Sequence, residues 1–403
     1  MGMKSIKDIY KIGKGPSSSH TMGPFKSVRH YVNHHTEAQA IHVTLYGSLA
    51  ATGKGHLTDW ACEDAFRDHK VEIEWKPKEN LPMHPNGMIV AVLEDDGSTY
   101  DPWTYYSVGG GDIVCIEKPI EGAGAEEIYE LTTLKEILDW CNVNGKSYWE
   151  YVDEHEGRKG LWEHLEKVWK VMRDAVERGI DQEGALPGPL NLRRKASSYF
   201  IRAEGYSDVL RTRGLIFAYA LAVSEENASG GTIVTAPTCG SCGVLPSVLF
   251  HMQKFYNFSN QRILRALATA GIVGTVVKHN ASVSGAEVGC QGEVGVACAM
   301  AAAAATQLMG GSPAQIEYAA EMGLEHHLGL TCDPVCGLVQ IPCIERNAYA
   351  AARALDANLY SMYTDGHHRV SFDKVVEVMK QTGHDLPSIY KETGEGGLAK
   401  DFF

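Results

Sequence analysis

Short runs of alternating apolar and polar residues occupy the first third of the 403-residue chain, a pattern typical of half-buried strands. Helix-forming residues over 58–69 separate the first two runs, and turn residues at 95–98 come before the last one. This pattern predicts a compact α+β unit that ends near Lys118. The predicted strands are 41–46, 71–75, 88–93 and 112–116.

Beyond residue 120, apolar residues recur at intervals of three and four, which predicts surface helices over 126–143 and 161–178. A Gly- and Pro-rich break follows at 184–189. From Lys195 onward the pattern is nearly all helical, and the close spacing of Gly and Ala over 284–305 predicts helices packed backbone to backbone. The further predicted helices are 209–224, 261–278, 292–308, 314–328, 344–362 and 372–383.

The fold class expected from these patterns is an α+β N-terminal domain followed by an all-α C-terminal catalytic domain. We place the first domain at residues 1–150 and the second at residues 151–403.

Composition narrows the function classes. Hydrophobic residues make up 44% and charged residues 22%, so a sizeable core can form, and 37 Lys and Arg against 50 Asp and Glu give a net charge of −13. Nucleic acid and anionic membranes are therefore not expected as partners, since both select cationic surfaces. The sequence shows neither a bilayer-length apolar run nor a signal peptide, so we expect a cytoplasmic protein whose ten cysteines are thiols or metal ligands.

Three cysteines stand out from the rest: Cys290, Cys332 and Cys343. Two of them sit beside Pro or Gly at predicted helix starts, where free N–H groups favour a thiolate. Three soft thiolates could hold an iron–sulfur cluster that leaves one iron open, but three buried structural thiols would give the same spacing. The remaining isolated cysteines are interpreted as structural, and they are Cys62, Cys115, Cys141 and Cys298.

Cys239 and Cys242 form a Cys-x-x-Cys pair within residues 235–243. Such a pair can be redox-active or metal-binding. Because no thioredoxin-like βαβ pattern surrounds it, we favour a Gly-rich turn whose hydroxyl and N–H groups line a pocket.

The run of residues 15–24 is the best anion site in the chain, because its serines and free N–H groups could open a helix that runs to about His34. A plain capped turn is the alternative. Lys54 and His56 lie on a second Gly-rich loop that lacks the residue order of a phosphate loop, so nucleotide binding is rejected. With His20, and with His84 beside Asn86, these loops suggest a catalytic base.

Taken together, these segments resemble the iron–sulfur-dependent L-serine dehydratases, also called L-serine ammonia-lyases. The resemblance runs in order along both predicted domains, which some members of that family carry on separate subunits. The matching segments are 15–23, 45–50, 53–56, 84–88, 106–111, 235–238, 284–294, 329–335 and 342–347.

This resemblance implies a 4Fe-4S enzyme, sensitive to oxygen and active without pyridoxal phosphate, that degrades L-serine to pyruvate and ammonia and so supplies gluconeogenesis. Cys290, Cys332 and Cys343 match the cluster-ligand positions. His56 is the expected base, with His20 as the alternative. Besides the cluster, the protein is expected to bind a small amino-acid substrate, and the expected assembly is a homodimer. Candidate substrate-binding residues are Ser17, Ser18, Ser19, Thr21, Asn86, Thr238, Ser284 and Arg346.

Other interpretations stay open. The same cysteines could serve a non-catalytic iron–sulfur sensor or electron carrier, although the His-, Ser- and Asn-bearing loops favour an enzyme. L-Threonine, L-cysteine or a hydroxy acid could replace L-serine as substrate.

Many relatives carry a cysteine in the tail that caps the open iron. The tail 393–403 has no thiol, so we expect water, or a thiolate such as Cys239, Cys242 or Cys336, as the fourth ligand.

Overall fold

A computed structural model describes residues 2–120 and 127–401 of the protein. A mixed-sheet region comes first and a mostly helical region follows, which confirms the predicted fold class. The division of the chain at residue 150 stays a prediction. The strands are β1 (Ile12–Lys14), β2 (Ala40–Tyr46), β3 (Lys70–Lys76), β4 (Gly87–Leu93), β5 (Thr99–Ser107), β6 (Ile113–Cys115) and β7 (Thr232–Val234).

Most predicted helices are confirmed within a few residues. The predicted helix 126–143 is wrong at its start: Glu126 lies outside the described residues, and the helix begins only after Thr133, whose side chain caps it. The predicted helix 58–69 ends at Ala65. The helices are α1 (Gly23–His34), α2 (Gly47–Ala51), α3 (Thr58–Ala65), α4 (Leu134–Asn144), α5 (Tyr148–Glu156), α6 (Trp162–Asp181), α7 (Ala196–Glu204), α8 (Asp208–Ala228), α9 (Val244–Tyr256), α10 (Asn260–Asn280), α11 (Gly285–Val288), α12 (Val296–Leu308), α13 (Pro313–Glu325), α14 (Cys343–Met362) and α15 (Phe372–Asp385).

Five strands form one mixed sheet in the order β3-β2-β4-β5-β6. β2 and β3 run parallel, because α3 lies in the crossover between them, and the other pairs are antiparallel. The sheet buries its apolar residues against α1 and α3, with Val28, Tyr31 and Val43 fully enclosed. This packing fixes the loops that follow β2 and precede β4.

The N-terminal segment belongs to the helical core as well as to the sheet region. Met3, Ile6 and Tyr10 are completely buried among residues of the helices, and β1 pairs with β7 in a separate two-stranded sheet that joins Ile12 to Val234. The N-terminal segment is therefore held by the helical region.

Helix α12 is buried along nearly its whole length at the centre of the helical region. A Cβ added to Gly323 of α13 would lie 2.9 Å from Ala299 Cα, so these two helices touch backbone to backbone. This contact confirms the close helix packing predicted from the small residues. Among the described residues, none of the helices has the length and apolarity that crossing a bilayer requires.

Candidate functional site

Cys290, Cys332 and Cys343 come together at one buried place in the helical region. Cys290 precedes a π-helical turn that leads into α12, Cys332 lies in the loop after α13, and Cys343 begins α14. The sulfur atoms of Cys290 and Cys332 and a carboxylate oxygen of Glu293 lie within 4.8 Å of one another. The predicted positions of two cysteines at helix starts are confirmed, and all ten cysteines of the chain are free.

The protonation of these thiols depends on their shared environment. A hydrogen bond to Cys290, and then burial, raise the pKa of the Cys332 thiol well above its ordinary value. Burial, and then the neighbouring Cys290, raise the pKa of the Cys343 thiol in the same way. Thiols held so close together in a buried site ionise when a metal takes the place of their protons. The donor set is therefore suited to a thiophilic metal group.

Charged and small residues surround the three thiols. The Arg346 guanidinium lies beside Cys290 and donates a 2.6 Å hydrogen bond to the carbonyl oxygen of Thr331. A Cβ at Gly285 would lie 3.2 Å from the sulfur of Cys332 and 2.8 Å from the Glu293 carboxylate. The glycine leaves space beside the sulfur that any other residue would fill.

The serine-rich segment after Pro16 adopts the predicted helix start, as a π-helical turn (Ser18–Met22) that continues into α1. The Ser17 side chain accepts a 3.0 Å hydrogen bond from the backbone N–H of His20. The Thr21 hydroxyl donates a 2.7 Å bond to the carbonyl oxygen of His56. Ser17 and Thr21 thus fix the two histidines, while Ser18 and Ser19 are buried beside them.

His20 and His56 lie side by side, with ring centroids 4.4 Å apart. Burial lowers the pKa of His20 to about 4. Burial, and then the neighbouring His20, lower the pKa of His56 well below its ordinary value. Both rings are therefore neutral near pH 7. The loop that carries His56 reaches the cysteine side of the site, where a Cβ at Gly55 would lie 2.4 Å from the Gly337 carbonyl oxygen.

Glu392, in the segment after α15, completes this group, and its place in the site was not predicted from the sequence. Its carboxylate lies 3.5 Å from Nδ1 of His20 and 4.0 Å from Nε2 of His56. Its backbone N–H donates a 2.8 Å hydrogen bond to the carbonyl oxygen of Cys332. Burial, and then Glu293 and Cys290, raise the pKa of the Glu392 carboxyl well above its ordinary value. No local pattern marks this residue, since its position depends on pairing with the distant Cys332 loop.

Two of the predicted substrate-binding residues carry buried polar atoms without a partner. Both polar atoms of the Asn86 amide and the hydroxyl oxygen of Ser284 are buried and form no hydrogen bond within the part of the chain that the structure describes. Ser284 packs against Gly109 and precedes Gly285 beside Cys332. Because buried polar groups are nearly always paired, these atoms indicate a place for a polar ligand.

The side chains of Thr238 and Arg346 form hydrogen bonds with other residues of the protein. The Thr238 hydroxyl donates a 2.7 Å hydrogen bond to Glu293, and Arg346 holds the Cys332 loop. Cys239 and Cys242 are buried in the turn before α9, and the sulfur of Cys239 lies 3.4 Å from that of Met22.

The fold and the site together define a class of protein in which a sheet region supplies histidines to a buried thiol centre in a helical region. The family model "Serine dehydratase beta chain" matches residues 5–67, and "Serine dehydratase alpha chain" matches residues 58–399. The chain therefore belongs to the serine dehydratase family.

Full-length relatives agree with this assignment. L-serine dehydratase TdcG of Escherichia coli is 43% identical, over 98% of this chain and 99% of that protein. An L-serine dehydratase of Streptomyces coelicolor is 41% identical, over 98% of each chain. An L-serine dehydratase of Haemophilus influenzae is 40% identical, over 98% of this chain and 99% of its own length.

Proposed function

We propose that the protein converts L-serine to pyruvate and ammonia at the site where His20 and His56 meet the three clustered thiols. The observation that carries this proposal is Glu392, which links the two groups: its carboxylate lies within 4.0 Å of both histidines, and its backbone N–H donates a 2.8 Å hydrogen bond to the carbonyl oxygen of Cys332. The names of the full-length relatives support L-serine as the substrate.

The proposed cofactor is a 4Fe-4S cluster held by Cys290, Cys332 and Cys343. Three buried thiols, the open side at Gly285 and the Arg346 cation beside Cys290 fit a thiolate-bound cluster that carries negative charge. When bound through three thiolates, such a cluster supplies an open iron that polarises the hydroxyl leaving group as a Lewis acid.

His56 is the proposed general base. Its Nδ1 lies 2.9 Å from the Thr52 hydroxyl oxygen, whose own hydrogen is donated to the carbonyl oxygen of Ser48 at 3.1 Å. These partners assign the ring proton to Nδ1 and leave a lone pair on Nε2. A neutral imidazole in this tautomer can accept the α-proton of the substrate. Loss of that proton and of the hydroxyl gives aminoacrylate, which tautomerises and hydrolyses to pyruvate and ammonia.

The substrate carboxylate is proposed to bind the unpaired amide of Asn86 and the unpaired hydroxyl of Ser284. Ser18 and Ser19, at the N-terminus of the Ser18–Met22 turn that continues into α1, add hydroxyl and N–H donors. Ser17, Thr21, Thr238 and Arg346 act by positioning these groups, because their side chains are engaged in hydrogen bonds within the protein. A cavity of about 250 Å³ is lined by Pro16, Gly55 and Leu57, the last two being the neighbours of His56 in the chain.

The decisive experiment gives L-serine to protein purified without oxygen and measures pyruvate and ammonia. We expect both products in equal amounts. L-Threonine should yield 2-oxobutyrate more slowly if the pocket is built for serine, and L-cysteine is the third amino acid to compare. A protein with an intact cluster absorption that yields no oxoacid from any of them would be the non-catalytic iron–sulfur protein instead.

We further propose that the enzyme is a cytoplasmic homodimer. Tyr349 and Tyr360 of α14, and Tyr363 directly after it, are 57–84% exposed, and exposed apolar patches mark protein–protein contacts. Light scattering should give twice the chain mass of 44.0 kDa. A mass of one chain would refute the dimer without affecting the proposed reaction.

A further inference from the structure

Hydrogen bonds around His20 define which of its ring nitrogens carries a proton. The Ser48 hydroxyl donates its only hydrogen to the carbonyl oxygen of Glu392 at 2.9 Å. The same hydroxyl oxygen lies 3.1 Å from Nε2 of His20 and must therefore accept a hydrogen bond from it. The proton of neutral His20 is thus on Nε2, and Nδ1 has a lone pair. Ser17 is 3.5 Å from this Nδ1, too far for a normal hydrogen bond.

The lone pairs of both histidines point toward the same carboxylate. Nδ1 of His20 and Nε2 of His56 lie 3.5 Å and 4.0 Å from one carboxylate oxygen of Glu392. The other carboxylate oxygen is buried and has no hydrogen-bond partner among the described residues. Glu392 itself is 7% exposed, and the ion pairs it makes within the described residues are with these two histidines. Several acceptors therefore converge on one point that no donor of the described residues occupies.

A ligand that satisfies converging acceptors must bring several donors and a positive charge. An α-ammonium group has three N–H donors arranged as a tetrahedron, and its charge complements a buried carboxylate. A bound cation favours the ionised form of the Glu392 carboxyl against the burial and the negative neighbours that raise its pKa. A carboxylate ligand would add another negative neighbour, and a hydroxyl group offers one donor. The acceptor arrangement thus selects an ammonium group over the other two polar groups of a hydroxy amino acid.

We propose that Glu392, together with Nδ1 of His20, binds the α-ammonium group of the amino-acid substrate and so discriminates amino acids from hydroxy acids. This inference rests on the proposed function, since it assumes an amino-acid substrate in this site. This assignment leaves the lone pair on Nε2 of His56, which is 4.0 Å from the Glu392 carboxylate, for the α-proton. Glu392 is then a substrate-binding residue that the tail segment contributes to a site built by the rest of the chain.

The test compares L-alanine with L-lactate, which differ only in an ammonium group against a hydroxyl and cannot undergo the β-elimination. Binding of both is measured by calorimetry to the cluster-loaded wild type, to Glu392→Gln and to the control Glu395→Gln. Glu395 lies on the same segment but is exposed. In Glu392→Gln we expect L-alanine to bind about 10- to 100-fold more weakly and L-lactate to change less than about threefold. The KM for L-serine should rise by a similar factor, and Glu395→Gln should match the wild type.

Equal weakening of L-alanine and L-lactate in Glu392→Gln, or no weakening of either, would overturn the proposal. If that variant fails to fold by circular dichroism, the wild type still decides the question: equal affinity for L-alanine and L-lactate would show that no group in the site recognises the ammonium. A divalent metal present at one ion per chain beyond the cluster iron, and lost in Glu392→Gln, would also overturn it, because the three acceptors would then be a metal site. A wild type that prefers L-alanine but makes no pyruvate from L-serine would refute the proposed function and leave the ammonium site standing.

Discussion

The hydroxyl of Ser48 donates a 2.9 Å hydrogen bond to the carbonyl oxygen of Glu392, a residue 344 positions further along the chain. Ser48 lies directly after β2, and the Glu392 N–H binds the carbonyl oxygen of Cys332 in the helical region. The tail segment therefore bridges the two halves of the site. A polar side chain of the sheet region, the segment after α15 and a loop of the thiol centre hold one another in place.

Replacement of His56 by alanine should remove turnover and preserve the cluster. A general base contributes about 10²–10⁴-fold to a rate, and the His56 ring hydrogen-bonds to the Thr52 hydroxyl rather than to a thiol. Visible absorption and iron content should match the wild type, while kcat falls by at least about a hundredfold. His279→Ala, on the exposed end of α10, is the control. A loss below about tenfold in His56→Ala would transfer the role to His20 or His84.

The elements of this site differ in how far the sequence predicts them. Strand 41–46 and helix 344–362 carry regular apolar periodicity, and the structure confirms both within a residue or two. Strand β5 was not predicted, because Pro102 and a left-handed Asp101 interrupt its pattern and a bulge shifts its pairing with β4. Strands β1 and β7 were not predicted either. Each has only three residues, too few to show an alternating pattern, and each forms its pairing with a distant part of the chain.

The site residues divide in a similar way. Cys290 follows Gly289, Cys343 follows Pro342, and Cys332 lies two residues before Pro334, so these three cysteines could be selected from the sequence. Glu392 could not, because its place depends on backbone pairing of residues 390–392 with Cys332 and on the Ser48 hydrogen bond. Both contacts join residues that are distant in sequence, and local periodicity carries no information about them.

Replacement of Cys332 by alanine should abolish bound iron and activity together, because two thiolates hold a cluster far more weakly than three. Cys298→Ala is the matched control, since Cys298 is equally buried but contacts the carbonyl oxygen of Ala350 at 3.3 Å, within the core of α12 and α14. It should retain iron and activity and lose about 1 kcal/mol of unfolding free energy. Iron analysis of both variants decides the ligand set, and loss of iron in Cys298→Ala would contradict it.

Replacement of Gly285 by alanine should lower iron content while the protein stays folded. The added Cβ would approach the Cys332 sulfur to 3.2 Å and the Glu293 carboxylate to 2.8 Å, so it occupies space beside a proposed ligand. Gly205→Ala is the control, because its Cβ would meet one atom at an ordinary 3.4 Å. Iron per chain and the circular dichroism spectrum are the measurements. Full iron content in Gly285→Ala would show that the cluster does not use this side of Cys332.

The protein should lose stability as the pH falls from about 6.5 toward about 4, because several buried histidines stay neutral in the fold. Burial lowers the pKa of His251 to about 4, and burial has the same effect on His20 and His327. Above pH 6.5 both the folded and unfolded states are neutral at these rings, and the stability is fully present. Below pH 6.5 these histidines bind protons in the unfolded state but stay neutral in the folded state. Each of them therefore lowers the free energy of unfolding by about 2 kcal/mol at pH 5.

His251 tests this pH dependence away from the proposed site, since it lies in α9 and its ring stacks on Phe255. Urea unfolding at about pH 7.5 and about pH 5 should show that His251→Leu reduces the loss of unfolding free energy by about 2 kcal/mol. The exposed His279→Ala should leave the loss unchanged. An identical pH dependence in His251→Leu and the wild type would mean that His251 is protonated in the fold.

Cys239→Ser and Cys242→Ser should keep both the cluster and most of the activity, and serine turnover should start without a lag. The Cys239 sulfur packs 3.4 Å from the sulfur of Met22. Burial raises the pKa of Cys239 and of Cys242 far above the ordinary value, so both remain thiols. Among the described residues, neither sulfur belongs to the group that Cys290, Glu293 and Cys332 form, so we expect neither residue to cap an open iron. Water then remains as the resting ligand, which a substrate hydroxyl displaces easily.

Progress curves of serine turnover, recorded from the first seconds, are the measurement. A lag in the wild type that disappears in either serine variant would identify that cysteine as an internal cap that the substrate must expel.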